Sequence, residues 1–254
     1  MDRLQARPDP LEVLDTHAGA GVYDLEGEAA RRSGEAAEGI VRLLAEQDPP
    51  AAFAPLMTAV RALNASGARR IYPGSPVLAA ARLRSADRYL GCELRPDDHA
   101  ALAEALRPWP QARALLQDGY TALARPTKGA VPRLVLVDPP FERGDDYRRA
   151  AETVGAAARL RPQDVVLVWT PLKDLETLDA FLGALSEAGA ASGLVVETRL
   201  QPLDNPLRMN GCVLTALAPP EFLRAIEAPA RGIAGWIVER LGRAGGEARV
   251  GALG

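Results

Sequence analysis

Four short apolar runs of this chain each stop at an acidic side chain. They are Leu11-Glu12-Val13-Leu14 before Asp15, Tyr89-Leu90-Gly91-Cys92 before Glu93, Ala114-Leu115-Leu116 just before Asp118, and Leu134-Val135-Leu136-Val137 before Asp138. Runs of this length and content read as buried strands. Stretches with apolar residues at helical spacing separate them. Strands alternating with helices argue a parallel sheet covered on both faces, an α/β fold. Such sheets bind ligands at the carboxyl ends of their strands. Acids repeated at that end predict a polar site along one rim. Each acid also has an ordinary structural role open to it: Glu93 can open the helix that begins near Pro96, and Asp118 can cap one.

The last of the four runs enters Asp138-Pro139-Pro140-Phe141. A carboxylate and the carbonyl of a proline can each accept a hydrogen bond from one exocyclic amine. Two successive prolines stiffen the loop and fix both acceptors. The aromatic ring offers a stacking face for a flat base. The set suits holding a planar amino group while its nitrogen attacks an electrophile. A plain strand exit with a proline-rich stop is the competing reading of the tetrapeptide.

The first run enters Asp15-Thr16-His17-Ala18-Gly19-Ala20-Gly21. Small residues let the backbone turn tightly and approach a ligand. The turn is neither G-x-G-x-x-G nor a P-loop, which argues against a pyrophosphate. It suits a cofactor with a cationic or amino-acid end, such as S-adenosylmethionine. Glu93 then stands where α/β nucleotide folds bond ribose hydroxyls, and Asp118 stands where it can bond the adenine amine.

The chain resembles the RlmJ family of 23S ribosomal RNA adenine-N6 methyltransferases. The resemblance rests on Leu14 to Gly21, Ser33-Gly34-Glu35, Tyr72-Pro73-Gly74-Ser75-Pro76, Glu93-Leu94-Arg95-Pro96, Asp118-Gly119 and Asp138-Pro139-Pro140-Phe141, in that order. It implies a class I S-adenosylmethionine-dependent methyltransferase sheet, Rossmann-like, with a helical insertion after the first strand. It implies that His17, Gly19, Ser75, Glu93, Asp118, Gly119 and Asp138 line the cofactor pocket. Asp138, Pro139 and Phe141 would do the chemistry. The alternatives are transfer to another exocyclic amine, such as guanine N2 of ribosomal RNA or adenine in DNA, and a non-catalytic remnant that binds cofactor or RNA. The resemblance also implies a longer segment before the first strand, with its own substrate contacts. Here that strand begins close to Met1, so the expectation is an apolar face left open to water. Weak cofactor binding, low stability or dimerisation would follow.

The pattern divides the chain into one methyltransferase domain, 1–254, with the insertion at about 24–70. Strands are expected at 11–15, 88–93, 113–117, 133–138, 164–169, 193–200 and 211–218. Helices are expected at 28–46, 51–65, 76–85, 97–107, 119–124, 145–160, 172–188 and 220–241. Ser75 is placed to cap the helix that Pro76 opens. The last two strands, joined without a helix, predict a hairpin. The Gly- and Ala-rich tail, 242–254, is expected to fray.

At 48% hydrophobic residues the chain is globular. No apolar run approaches the ~18 residues that cross a bilayer, and Met1-Asp2-Arg3 opens no signal peptide. A cytoplasmic protein without a membrane partner is expected. Cys92 and Cys212 read as buried free thiols, and no spacing of His and Cys suggests a metal. A net charge of −3 is unusual for an enzyme on 23S ribosomal RNA, so local basic patches must carry phosphate binding. Candidates are Arg31-Arg32, Arg69-Arg70, Arg125 with Lys128 and Arg133, and Arg143 with Arg148-Arg149.

Overall fold

Val13 and Leu14 are neighbours on one strand, yet they enter different cores. Alternation of this kind requires a sheet covered on both faces. The computed structural model describes residues 1–27, 39–65, 71–125, 133–205 and 208–253. The first turn of helix, α1 (Asp2–Gln5), leads into β1 (Glu12–Asp15). A two-stranded antiparallel ribbon, β2 (Val22–Asp24) with β3 (Ile71–Pro73), brackets the helices α2 (Ile40–Ala45) and α3 (Ala54–Leu63). Then come α4 (Ser75–Ala80), β4 (Arg88–Glu93), α5 (Pro96–Leu106), β5 (Ala112–Leu116), α6 (Gly119–Ala124), β6 (Arg133–Val137) and α7 (Asp146–Leu160). The chain ends through β7 (Val165–Leu172), α8 (Leu175–Glu187), β8 (Gly193–Arg199), β9 (Gly211–Leu217), α9 (Pro220–Leu241) and β10 (Glu247–Ala252).

Among the described residues the main sheet runs β5-β4-β1-β6-β7-β9-β8-β10. The first five strands are parallel. β9 lies antiparallel between β7 and β8, as the predicted hairpin requires. One core joins Leu14, Val135, Val137 and Val168 to α6, α7 and α8 through Leu123, Val154 and Phe181. The other joins Val13, Tyr89 and Leu134 to α1, α4, α5 and α9 through Leu4, Ala80, Leu102 and Leu223.

Several expectations are corrected. The face of β1 is not open: Leu11 and Val13 are at most 1% exposed, and Leu4 of α1 packs beside them. An Arg84–Asp87 clamp fixes that opening segment. The Arg84 guanidinium donates to the carbonyls of Gln5, Arg7 and Asp9, while Asp87 accepts from the Leu11 N–H at 2.8 Å. The same turn ends α4 short of the predicted residue 85. Gly74, not Ser75, caps α4. The tail does not fray from 242 on, because β10 pairs with β8 from Leu194 to Arg199. β7 does not stop at the predicted residue 169 but runs through Pro171 to Leu172. Beyond Val168 that strand has lost β6 as a neighbour and pairs with β9 alone, so a missing N–H on the open side is tolerated. Arg133 is no RNA contact: it is 3% exposed, 2.6 Å from Asp164. Cys92 is buried, whereas Cys212 is only partly so. Of the predicted helix 28–46, the portion 28–38 lies outside the described residues, as do Ser33-Gly34-Glu35, Arg31-Arg32, Arg69-Arg70 and Lys128.

Candidate active site

The parallel strands β4, β5, β1 and β6 all end on one rim, and a cleft of about 440 Å³ lies along it. His17, Gly19, Glu93, Asp118, Gly119, Asp138 and Pro139 line it. The turn after β1 is pinned on both sides: the Thr16 N–H donates to Leu136 of β6 at 3.0 Å, and the Ala18 N–H to Cys92 of β4 at 2.9 Å. Gly19 takes φ +61°, a left-handed value that favours glycine, and a Cβ there would lie 2.1 Å from the Tyr23 hydroxyl. Glu93 holds this turn from the end of β4. One carboxylate oxygen accepts from the Gly19 N–H at 3.1 Å, the other from the Arg95 N–H at 2.8 Å.

His17 sits between this turn and α6, its ring edge-on to Tyr120 at 4.8 Å. The Thr16 hydroxyl donates to the Leu136 carbonyl at 3.0 Å and lies 2.8 Å from His17 Nδ1. The Thr16 hydroxyl thus ties the imidazole to the end of β6 through Nδ1. Burial pushes the His17 pKa down to about 4, against the pull of Asp118 and Glu93. The ring is therefore neutral at neutral pH.

Asp118 caps α6. One oxygen accepts from the Thr121 N–H at 2.7 Å, the other pairs with Arg149 at 2.7 Å. Burial alone would raise its pKa, but these hydrogen bonds hold it below the ordinary value. Gly119 packs so closely on the turn after β1 that a Cβ would fall 1.9 Å from the Thr16 carbonyl oxygen. Ser75 is not on the cleft wall. Its hydroxyl donates to buried Asp15 at 2.7 Å, beside the Tyr89 hydroxyl at 3.0 Å. Phe141 lies beneath the Asp138 loop. It is 7% exposed, at φ +50°, with its ring 4.5 Å from that of Tyr147 and 6.4 Å from that of Trp169.

Several cleft residues escaped the reading of the sequence as pocket residues, Arg149 and Tyr120 among them. Arg149 lies over the Tyr120 ring at 4.6 Å as well as on Asp118. Its partner is 31 residues away, so no local pattern announces it. Tyr120 follows Gly119 directly, which was the available signal. Its buried hydroxyl has no hydrogen-bond partner among the described residues.

The residues present fit a cationic adenosine cofactor. Glu93, Asp98, Asp118, Asp138, Glu142 and Asp146 face the cleft against three guanidiniums, so the site is net negative. Glu93 retains lone pairs for ribose hydroxyls beyond its two backbone donors. The glycine turn and the orphan Tyr120 hydroxyl leave a close approach and a polar partner unused.

A sheet of this order, with β9 reversed and a charged cleft across β5, β4, β1 and β6, defines a class I S-adenosylmethionine-dependent methyltransferase. More narrowly, the chain belongs to the family described as ribosomal RNA large subunit methyltransferase D, RlmJ, which it matches over residues 8–253. It is 30% identical over 221 residues to ribosomal RNA large subunit methyltransferase J of Escherichia coli K12, covering 87% of this chain and 79% of that one. The protein of the same name from Haemophilus influenzae is 28% identical over 222 residues, with the same coverage. A crystal structure of protein LPL1258 from Legionella pneumophila superposes with a TM-score of 0.87 at 24% identity, over 98% of this chain and 91% of that one.

Proposed function

We propose that this chain methylates the N6 amine of an adenine in 23S ribosomal RNA. The observation that carries the proposal is that Asp138 and Pro139 share one cleft with Gly19, Glu93 and Asp118. The acceptors for a target amine thus lie beside the cradle for a cofactor. Glu93 would bond the ribose, Asp118 the adenine, and the turn at Gly19 the amino-acid end, with neutral His17 beside them. When bound, S-adenosylmethionine supplies an electrophilic methyl group.

An adenine N6 lone pair is delocalised into the ring and is a poor nucleophile. Hydrogen bonds from the amine to the Asp138 carboxylate and the Pro139 carbonyl favour a more tetrahedral nitrogen and aim its lone pair. Asp138 offsets the positive charge that grows on nitrogen and accepts its proton. The target base must leave its stack to reach the loop. Stacking by Phe141 would take that ring out of its packing against Tyr147 and Trp169, so we assign Phe141 to holding the loop in place. A ribosomal RNA substrate places the working protein in the cytoplasm.

The test is digestion to nucleosides of 23S RNA incubated with the protein and S-adenosylmethionine. N6-methyladenosine is expected. N2-methylguanosine, or methylation of DNA alone, would refute the assignment of the substrate.

A further inference from the structure

A second cavity lies on the same rim, on the far side of β7 and β9. It measures about 600 Å³. Gln201, Asp204, Asn205 and Arg208 of the β8–β9 loop wall one side, and Arg243 of the turn before β10 walls another. The wall is built from ordered contacts. Asn210, fully buried, donates from Nδ2 to the carbonyls of Lys173 and Asn205 at 2.9 Å each, and its backbone N–H donates to Leu172 at 2.8 Å. Gln201 donates to the Asn210 side-chain carbonyl at 3.1 Å. The tail closes the other side: the Arg243 N–H donates to the Leu200 carbonyl at 2.7 Å. Gly245, at φ +84°, lies so near that a Cβ would fall 2.8 Å from Pro202.

The position of this cavity relates it to the chemistry. Asp138 leaves β6 beside Val168, whereas β7 runs on to Leu172, which pairs with Gly211 at the end of the loop. β8 stands three strands from β6, about 15 Å at the usual ~4.8 Å spacing. A single strand of RNA with one base drawn to Asp138 crosses that distance within a few nucleotides. The lining mixes two guanidiniums with two side-chain amides and one carboxylate. Guanidiniums match phosphate oxygens. Amides and a carboxylate match the edges of an unstacked base. Asp204 would repel a free phosphate but can accept from a base amine.

We propose that this cavity is a subsite for a nucleotide flanking the target adenosine, with its phosphate on Arg208 and Arg243 and its base edge on Asp204 and Asn205. The proposal rests on the reading of the cleft as an RNA methyltransferase site. It also answers how a chain of net charge −3 holds a polyanion.

The experiment compares the full chain with Arg208→Ala and with Arg208→Ala/Arg243→Ala. A 23S RNA fragment is titrated at several salt concentrations, and methylation kinetics are measured on it. Each lost phosphate contact should reduce the salt slope by about 1. The KM for RNA should rise about tenfold or more, while S-adenosylmethionine affinity stays native in both variants and the melting temperature stays native in Arg208→Ala. The single variant guards against a folding defect, since Arg208 is exposed. An unchanged slope and KM in both variants, with the native chain active, would overturn the subsite alone. Absence of RNA methylation by the native chain would overturn the reading of the cleft, and the subsite with it.

Discussion

Glu93→Gln separates a carboxylate that shapes the cofactor turn from one that merely lies near it. Both oxygens of Glu93 accept a backbone N–H, from Gly19 at 3.1 Å and from Arg95 at 2.8 Å. A glutamine has one carbonyl oxygen and one NH2 group. Whichever way the amide turns, a donor faces a donor, so this near-isosteric change should act like Glu93→Ala. A hydrogen bond to a charged group contributes about 1.5–3 kcal/mol. Losing one, with the ribose contact weakened as well, should reduce S-adenosylmethionine affinity by about 2 kcal/mol, or roughly 30-fold. The turn should also loosen, lowering the melting temperature by about 2–4 °C for each kcal/mol lost. Isothermal titration calorimetry gives the affinity and a thermal melt gives the stability. Native affinity in Glu93→Gln would refute both the ribose role and the argument from two donors.

Asp138→Ala should abolish methyl transfer to RNA while leaving the melting temperature near native, because this side chain is exposed at the cleft; appreciable turnover would remove it from the chemistry. Asp164→Ala should destabilise the fold by about 3–5 kcal/mol in urea titrations, since Arg133 would be left buried and unpaired; a loss under 1 kcal/mol would contradict that. The His17 pKa is lower folded, about 4, than unfolded, near 6.5. The unfolded chain therefore binds the extra proton first, and stability should fall as pH drops from about 6.5 toward 4. His17→Gln should flatten that part of a melting-temperature profile, and an unaltered profile would show that another group is responsible.

The strand ends were legible because each signal is local: an apolar run, an acid, a proline or a glycine. The acids at 15, 93, 118 and 138 needed only the parallel order to fall on one rim. What escaped depends on partners distant in sequence. Arg133 reads as a surface cation until Asp164 is placed beside it. The strand expected at 164–169 runs on through Pro171 because β6 ends early and leaves that side without a partner. The tail reads as frayed because its glycines carry no strand pattern, and only the open edge of β8 recruits it. Ser75 sits at a helix start, where a cap is the natural reading, yet its hydroxyl serves a carboxylate 60 residues earlier.

Phe141 alters how the tetrapeptide that ends at it should be read in other chains. A side chain held at φ +50° is costly unless something retains it. Here Tyr147 and Trp169 retain it. The aromatic letter of the motif is thus tied to what the next helix and the next strand carry. Two proteins that share Asp-Pro-Pro-Phe can owe the last residue to architecture while differing in what they modify. In recognising relatives, the identities at 147 and 169 belong to the signature along with the four residues usually read.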